Sequence, residues 1–140
     1  MSWEKNGRDE KLVIWRDNME VDKFIYSAGI AGSTFIEGLA RKKLVGSRCP
    51  VCGRVFLPPS SYCEYDFAET VPYEINEDPF IELVITINYD DEGELLKDPV
   101  KIGLARFKGV TGGLLVRVEG DLKSGSTAKI KEWKWPLTVG

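Results

Sequence analysis

Three cysteines, Cys49, Cys52 and Cys63, fall within fifteen residues and are the only thiols in a chain of 140 residues. Thiolates are metal ligands and nucleophiles, so their spacing decides what chemistry is open to them. Cys49 and Cys52 stand three apart in Arg48-Cys49-Pro50-Val51-Cys52-Gly53-Arg54. This is the spacing of a zinc knuckle, in which backbone amides turn toward both sulfurs and the glycine supplies a positive φ. A knuckle is half of a tetrahedral site. The other half has the same spacing in Cys63-Glu64-Tyr65-Asp66 but ends in a carboxylate. Three readings stand open: structural zinc held by Cys49, Cys52, Cys63 and Asp66, a degenerate ribbon that keeps its fold without metal, and a catalytic zinc with an open position. The first is preferred, and the catalytic case is the least expected, because no histidine or second carboxylate is spaced to manage a zinc-bound water. An electron-transfer iron site would want four thiolates.

The rest of the composition narrows the class. Histidine is absent, which removes the usual base at neutral pH and the Ser-His and Cys-His nucleophile pairs; the expectation is a protein that is not an enzyme. No run approaches the roughly 20 apolar residues of a membrane span, and the N-terminus lacks the basic flank and apolar core of a secretory signal. A cytoplasmic protein is expected, in which a disulfide framework is disfavoured. Charge is segregated: residues 41–63 carry five basic and no acidic side chains, residues 64–98 carry one basic and twelve acidic, and residues 99–140 carry eight basic and three acidic. An acid-free stretch in a chain of pI about 5.1 suits a small anion better than a long polyanion. Mutual neutralisation of neighbouring blocks is the competing explanation.

The elements that must position these residues follow from periodicity. Asn18 to Lys43 reads as two short helices, the first with Val21, Phe24, Ile25 and Ala28 on one face and Gly29 at its end. The second starts at a capping box, Thr34 with Glu37, and buries Phe35, Ile36, Leu39 and Ala40. The intervening Ser27 to Thr34 has a faint likeness to a phosphate loop but lacks its lysine and preceding strand, so a helix–helix joint is expected. Strands are expected at Val71–Ile75, Phe80–Tyr89, Val100–Phe107, Leu114–Glu119 and Ala128–Trp135, with a turn at Asp90-Asp91-Glu92-Gly93. Five short strands point to a small closed barrel, of which the OB-fold is a common five-stranded kind. Two modules are expected, helices plus a metal ribbon over 1–69 and a barrel over 70–140.

Phe35-Ile36-Glu37-Gly38-Leu39, Leu44-Val45-Gly46, the knuckle, Phe56-Leu57-Pro58-Pro59 and Cys63, followed by Leu122-Lys123-Ser124-Gly125-Ser126-Thr127-Ala128, resemble an archaeal and bacterial family. That family joins a rubredoxin-like zinc ribbon to an OB-fold and often accompanies thiolases. The fold class implied is mainly β with N-terminal helices, a rubredoxin-like zinc ribbon followed by a five-stranded OB-fold barrel. The implied function is a non-catalytic acyl-CoA-binding or scaffolding subunit working with a thiolase-superfamily enzyme, in some lineages bridging a thiolase and a hydroxymethylglutaryl-CoA synthase. Asp66 stands where the family pattern has a fourth cysteine.

An acyl-CoA partner gives the acid-free stretch a purpose, because its phosphates want fixed cations. Arg41, Lys42, Lys43, Arg48 and Arg54 are the candidates, with Phe56 and Tyr62 as flat apolar surface. The bland alternative makes Lys42 and Lys43 complements of a helix C-terminus and Phe56 core. The competing function is a single-stranded nucleic-acid binder with Phe107, Trp133 and Trp135 in a stacking groove. The acidic block just before that groove disfavours it.

Overall fold

The computed structural model describes residues 16, 17, 25 and 27–140. One helix, α1 (Gly29–Ala40), leads into β1 (Leu44–Arg48), β2 (Val55–Leu57) and β3 (Val71–Ile75). A long hairpin follows, β4 (Phe80–Tyr89) and β5 (Leu95–Arg106), then β6 (Val110–Gly112), β7 (Leu114–Val118), β8 (Ile130–Glu132) and β9 (Thr138–Val139). The protein is mainly β.

The expected first helix rests on Val21 and Phe24, which lie outside the described residues. Of its other positions, Ile25 is exposed and Ala28 is the N-cap of α1. Gly29 opens a helix instead of closing one, at φ +70°. The expected capping box is not formed: Thr34 sits inside α1, where its hydroxyl donates to the Ile30 carbonyl at 2.9 Å. A hydroxyl satisfied by the preceding turn has no need of a helix end. The buried face of α1 is Phe35, Gly38 and Leu39, while Ile36 is half exposed. Gly38 is where the helix meets β1, since a Cβ there would lie 2.7 Å from Val45 Cγ2. The helix ends in a Schellman motif: the amide of Lys43 donates to Gly38 O at 2.8 Å and that of Lys42 to Leu39 O at 3.0 Å. Lys42 takes the left-handed position at φ +57°.

Two sheets form, with orders β3-β1-β2-β6 and β4-β5-β7-β9-β8. The first joins distant parts of the chain, because β6 pairs in parallel with β2 and β3 antiparallel with β1. The second holds four of the five strands that alternation predicts, as β4, β5, β7 and β8, while the expected Val71–Ile75 is β3 of the first sheet; β5 begins at Leu95 instead of Val100, and β9 lies beyond the last expected strand. The second sheet is not closed into a barrel: β4 and β8 are both outer strands, joined only through the segment before β8 by the bridge Phe80–Thr127 and bonds such as Ile81 N to Ser126 O at 2.8 Å. One apolar cluster runs through both sheets, from Phe35, Leu44, Val55 and Leu57 to Ile81, Leu114, Val116, Leu137 and Val139. Among the described residues, no helix is long and apolar enough to cross a membrane.

In β4 a bulge between Ile81 and Leu83 shifts the alternation by one. Ile81 pairs with Ala105 and both are fully buried, whereas Leu83 pairs with Leu104 on the opposite face and is 46% exposed. The apolar series Ile81, Leu83, Ile85, Ile87 therefore divides between the two faces of the sheet.

Candidate metal centre

The four predicted ligands meet. The sulfurs of Cys49, Cys52 and Cys63 and a carboxylate oxygen of Asp66 all lie within 4.8 Å of one another. Cys52 Sγ is 3.6 Å from Cys63 Sγ, and Cys49 Sγ is 3.3 Å from both Asp66 oxygens. Around tetrahedral zinc with bonds of about 2.3 Å, sulfurs stand about 3.8 Å apart. The donor set fits that ion. Cys49 and Cys63 are buried, and Cys52 and Asp66 are exposed, so the site sits at the surface with one wall inside. Phe56 and Ala68 pack beneath it against the two buried cysteines.

Two successive turns build this centre with one backbone pattern. In the first, Cys49 N donates to Arg54 O at 2.9 Å, Gly53 N donates to Cys49 O at 2.9 Å, and Gly53 has φ +76°. In the second, Cys63 N donates to Ala68 O at 2.9 Å, Phe67 N donates to Cys63 O at 3.1 Å, and Phe67 has φ +61°. Amides point at the ligands in both, Cys52 N at Cys49 Sγ (3.5 Å) and Tyr65 N at Cys63 Sγ (3.4 Å). The β1–β2 hairpin holds the first turn, and the bridge Tyr62–Glu69 closes the second.

The electrostatics favour anionic ligands at the exposed pair. A hydrogen bond from the Arg54 backbone, helped by its side chain, holds the Cys52 thiol below its usual value. A backbone bond from Ala68, whose amide is 3.0 Å from Asp66 Oδ1, lowers the Asp66 carboxyl. Burial pushes the Cys49 thiol up, so metal binding there must displace a proton. Arg54 lies 3.9 Å over the Tyr65 ring, which stacks on Phe56 at 6.5 Å and 22°. Three thiolates and a carboxylate leave excess negative charge on a dication, and Arg54 stands where it offsets that charge.

The other predicted contact residues are not brought together. Arg41, Lys42 and Lys43 are exposed at the end of α1, where Lys43 pairs with Glu74 at 3.6 Å. Arg48, at the far end of β1, lies over the Tyr73 ring at 5.9 Å. Five residues of extended chain separate these ends by about 16 Å. Phe56 is 2% exposed, so the expectation that it offers surface to a ligand is corrected: it is the floor of the metal centre. Tyr62 is 60% exposed and lines a cavity of about 270 Å³ between α1, β1 and the loop before β3, together with Ile30, Thr34, Ser47, Glu69 and Pro72. The proposed stacking groove is absent among the described residues, since Phe107 is buried, Trp133 packs on the core and Trp135 meets Phe35 edge-on at 5.6 Å.

Phe67 in a left-handed position and Arg54 over Tyr65 were not apparent from composition. Aligning Cys63-Glu64-Tyr65-Asp66-Phe67 under Cys49-Pro50-Val51-Cys52-Gly53 would have put Phe67 at the glycine's place.

Fold and site together define a rubredoxin-like zinc-ribbon protein: residues 37–71 match the family described as ChsH2, rubredoxin-like zinc ribbon domain. A crystal structure of a protein of unknown function from the DUF35 family of Sulfolobus solfataricus is 45% identical, with a TM-score of 0.73 over 79% of this chain and 84% of that one. The chain belongs to the DUF35 family. It also has the fold of a chain in the structure described as the Ltp2-ChsH2(DUF35) aldolase, at 16% identity and a TM-score of 0.60 over 76% of this chain and 91% of that one. The sequence matches no curated protein. The aldolase corrects one expectation. The absence of histidine predicts a protein that is not an enzyme, yet a chain of this fold is named within one. Lack of a base in one chain does not exclude chemistry in an assembly that includes it.

Proposed function

We propose that this protein is a subunit of an enzyme assembly, in which its zinc ribbon and five-stranded sheet help bind an acyl-CoA for a thiolase-superfamily partner. The observation that carries the reading is membership of a family whose fold recurs in the Ltp2-ChsH2(DUF35) aldolase, a structure named for two components. The strand order β4-β5-β7-β9-β8, with β7 and β9 parallel and the bridge Phe80–Thr127, supports reading that sheet as a partly open OB-type barrel. In this reading residues 1–69 carry the ribbon and residues 70–140 the barrel, which lends β3 and β6 to the ribbon's sheet.

The ligand's place is the cavity beside Tyr62. Its volume of about 270 Å³ is at the small end for a ligand pocket, enough for one arm of an acyl-CoA and not for the whole molecule. Arg48 is in register with Val71 on the cavity wall and supplies the cation nearest to it by sequence position. Arg41, Lys42 and Lys43 stand apart at the helix end and contribute at most a distant field. Bridging two enzymes, as in the thiolase and hydroxymethylglutaryl-CoA synthase case, is an extension of the same reading.

Titration of the protein with its host's thiolase-superfamily enzymes, using CoA, dephospho-CoA and pantetheine, tests this. Arg48→Ala is expected to weaken CoA roughly tenfold or more and pantetheine hardly at all. Equal affinity of wild type and Arg48→Ala and Tyr62→Ala variants for CoA in the assembly would place the ligand elsewhere.

A further inference from the structure

The largest feature that the metal centre and the cavity leave unused is the outer face of the β4–β5–β7 sheet. Register fixes its membership: Leu83, Leu104 and Leu115 form one row, Ile85 and Ile102 the next, Ile87 and Val100 a third. Residues directly opposite on neighbouring strands share a face. These side chains point away from the core, because the alternate pairs, Ile81 with Ala105 and Val84 with Gly103, point into it. Leu83 is 46%, Ile85 53% and Leu115 65% exposed. A contiguous aliphatic face of this kind marks an interaction site, since isolated apolar side chains are ordinary on a surface and patches are not. The bulge after Ile81 creates it, turning outward residues that unbroken alternation would have kept on the side of Ile81.

Charge says what covers the face. The hairpin tip carries Asp90, Asp91, Glu92, Glu94 and Asp98 against Lys97 alone. Among the described residues none of these acids is in an ion pair. At the other end Glu82 is already neutralised by Arg106 at 2.8 Å. A second copy of this chain would bring its own acidic tip and, among the described residues of these strands, Arg117 as the cation outside the ion pairs on the same face. A nucleic acid would be repelled by the tip. We propose that the outer face of β4–β5–β7 is the docking surface for a partner protein whose interface is an aliphatic patch flanked by Lys and Arg. Resting on the functional reading above, that partner is the thiolase-superfamily enzyme. The aliphatic rows supply the buried centre of the interface, and the acidic tip steers and orients the encounter.

The test uses the full chain and each thiolase-superfamily enzyme of its host, purified separately. Binding by wild type is expected to weaken as salt is raised. Ile85→Asp combined with Leu115→Asp is expected to lose about a hundredfold in affinity, the scale of a desolvated anchor, with circular dichroism and zinc content unchanged. Asp91→Lys with Glu92→Lys is expected to lose about tenfold, mainly in association rate. Hydroxyl-radical labelling of Leu83, Ile85 and Leu115 should be strong in the free chain and suppressed by the enzyme. An enzyme bound equally by wild type and Ile85→Asp/Leu115→Asp overturns the docking face and leaves the functional reading standing. Weak labelling in the free chain, or a wild-type dimer that the double variant dissociates, also overturns it, because the chain or its copy then covers the face. If wild type binds none of these enzymes, the functional reading falls and the docking proposal falls with it.

Discussion

The turn from Cys49 to Arg54 and the turn from Cys63 to Ala68 share a hydrogen-bond frame yet differ at two of the positions that matter most. Where the first has Cys52 and Gly53, the second has Asp66 and Phe67. Backbone bonds from Cys49 to Arg54 and from Cys63 to Ala68 are equal at 2.9 Å, and both fifth residues have positive φ. The frame therefore does not depend on glycine or on a fourth thiolate. What the side chains decide is the identity of the metal's last ligand atom and the conformational cost of the turn. The first turn meets the left-handed requirement without strain, and the second meets it with an aromatic residue that is 78% exposed and so regains little by packing.

The largest effect expected from breaking this pairing is at the buried anchors. Cys63→Ala removes a sulfur common to the frame and the site, and loss of structural zinc removes folding free energy outright. Metal analysis should find the variant empty, and its melting temperature should fall on the order of 10 °C or more. Unchanged melting would mean that metal contributes little to this fold.

Next in size is the fourth ligand. Asp66→Ala should weaken zinc markedly in competition with a chelator, while Asp66→Cys, which makes the second turn chemically like the first, should hold it at least as tightly as wild type. Equal retention by wild type and Asp66→Ala would take Asp66 off the ligand list.

Smaller again is the exchange at the fifth position. Gly53→Ala should destabilise by about 1 kcal/mol from the positive φ alone, because a Cβ there meets nothing within 4 Å. Phe67→Gly should be neutral or stabilising by up to about 1 kcal/mol, the relieved strain being partly offset by chain entropy. Lost stability in Gly53→Ala with none lost in Phe67→Gly is the outcome expected in denaturant melts, and a strongly destabilised Phe67→Gly would show that the ring contributes contacts of its own.

The smallest effect concerns Arg54, whose backbone and side chain hold the Cys52 thiol low. Arg54→Ala keeps the backbone bond and loses the side-chain one, so the thiol rises and protons compete better with zinc. The midpoint of zinc release on acidification should move to higher pH. A midpoint unchanged from wild type would leave Arg54 only its place over Tyr65.

The site was legible because ligand spacing is local: a knuckle specifies its own geometry within six residues, and the aspartate kept that spacing. Two strands were legible as well, since β3 and β4 have the boundaries that alternation and turn residues indicate, whereas β5, the longest, starts at Leu95, five residues before the expected Val100. What was not legible depends on distant partners. β6 and β9, of three and two residues, exist because β2 and β7 offer them an edge. The bulge after Ile81 has no signature in composition, and through it three of the four residues of the apolar alternation in β4, Leu83, Ile85 and Ile87, face away from Ile81. Thr34 kept the letters of a helix start while its hydroxyl bonded backward to Ile30. The acid-free stretch is one patch in sequence and two in space, because an extended β1 separates its ends.

Zinc-edge X-ray absorption on the purified protein, combined with elemental analysis, tests the central claim that two dissimilar turns make one centre. The expected result is about one zinc per chain with three sulfurs near about 2.3 Å and one oxygen near about 2.0 Å. Less than about a tenth of an equivalent from protein made with zinc available, or a shell holding fewer than three sulfurs, would contradict it.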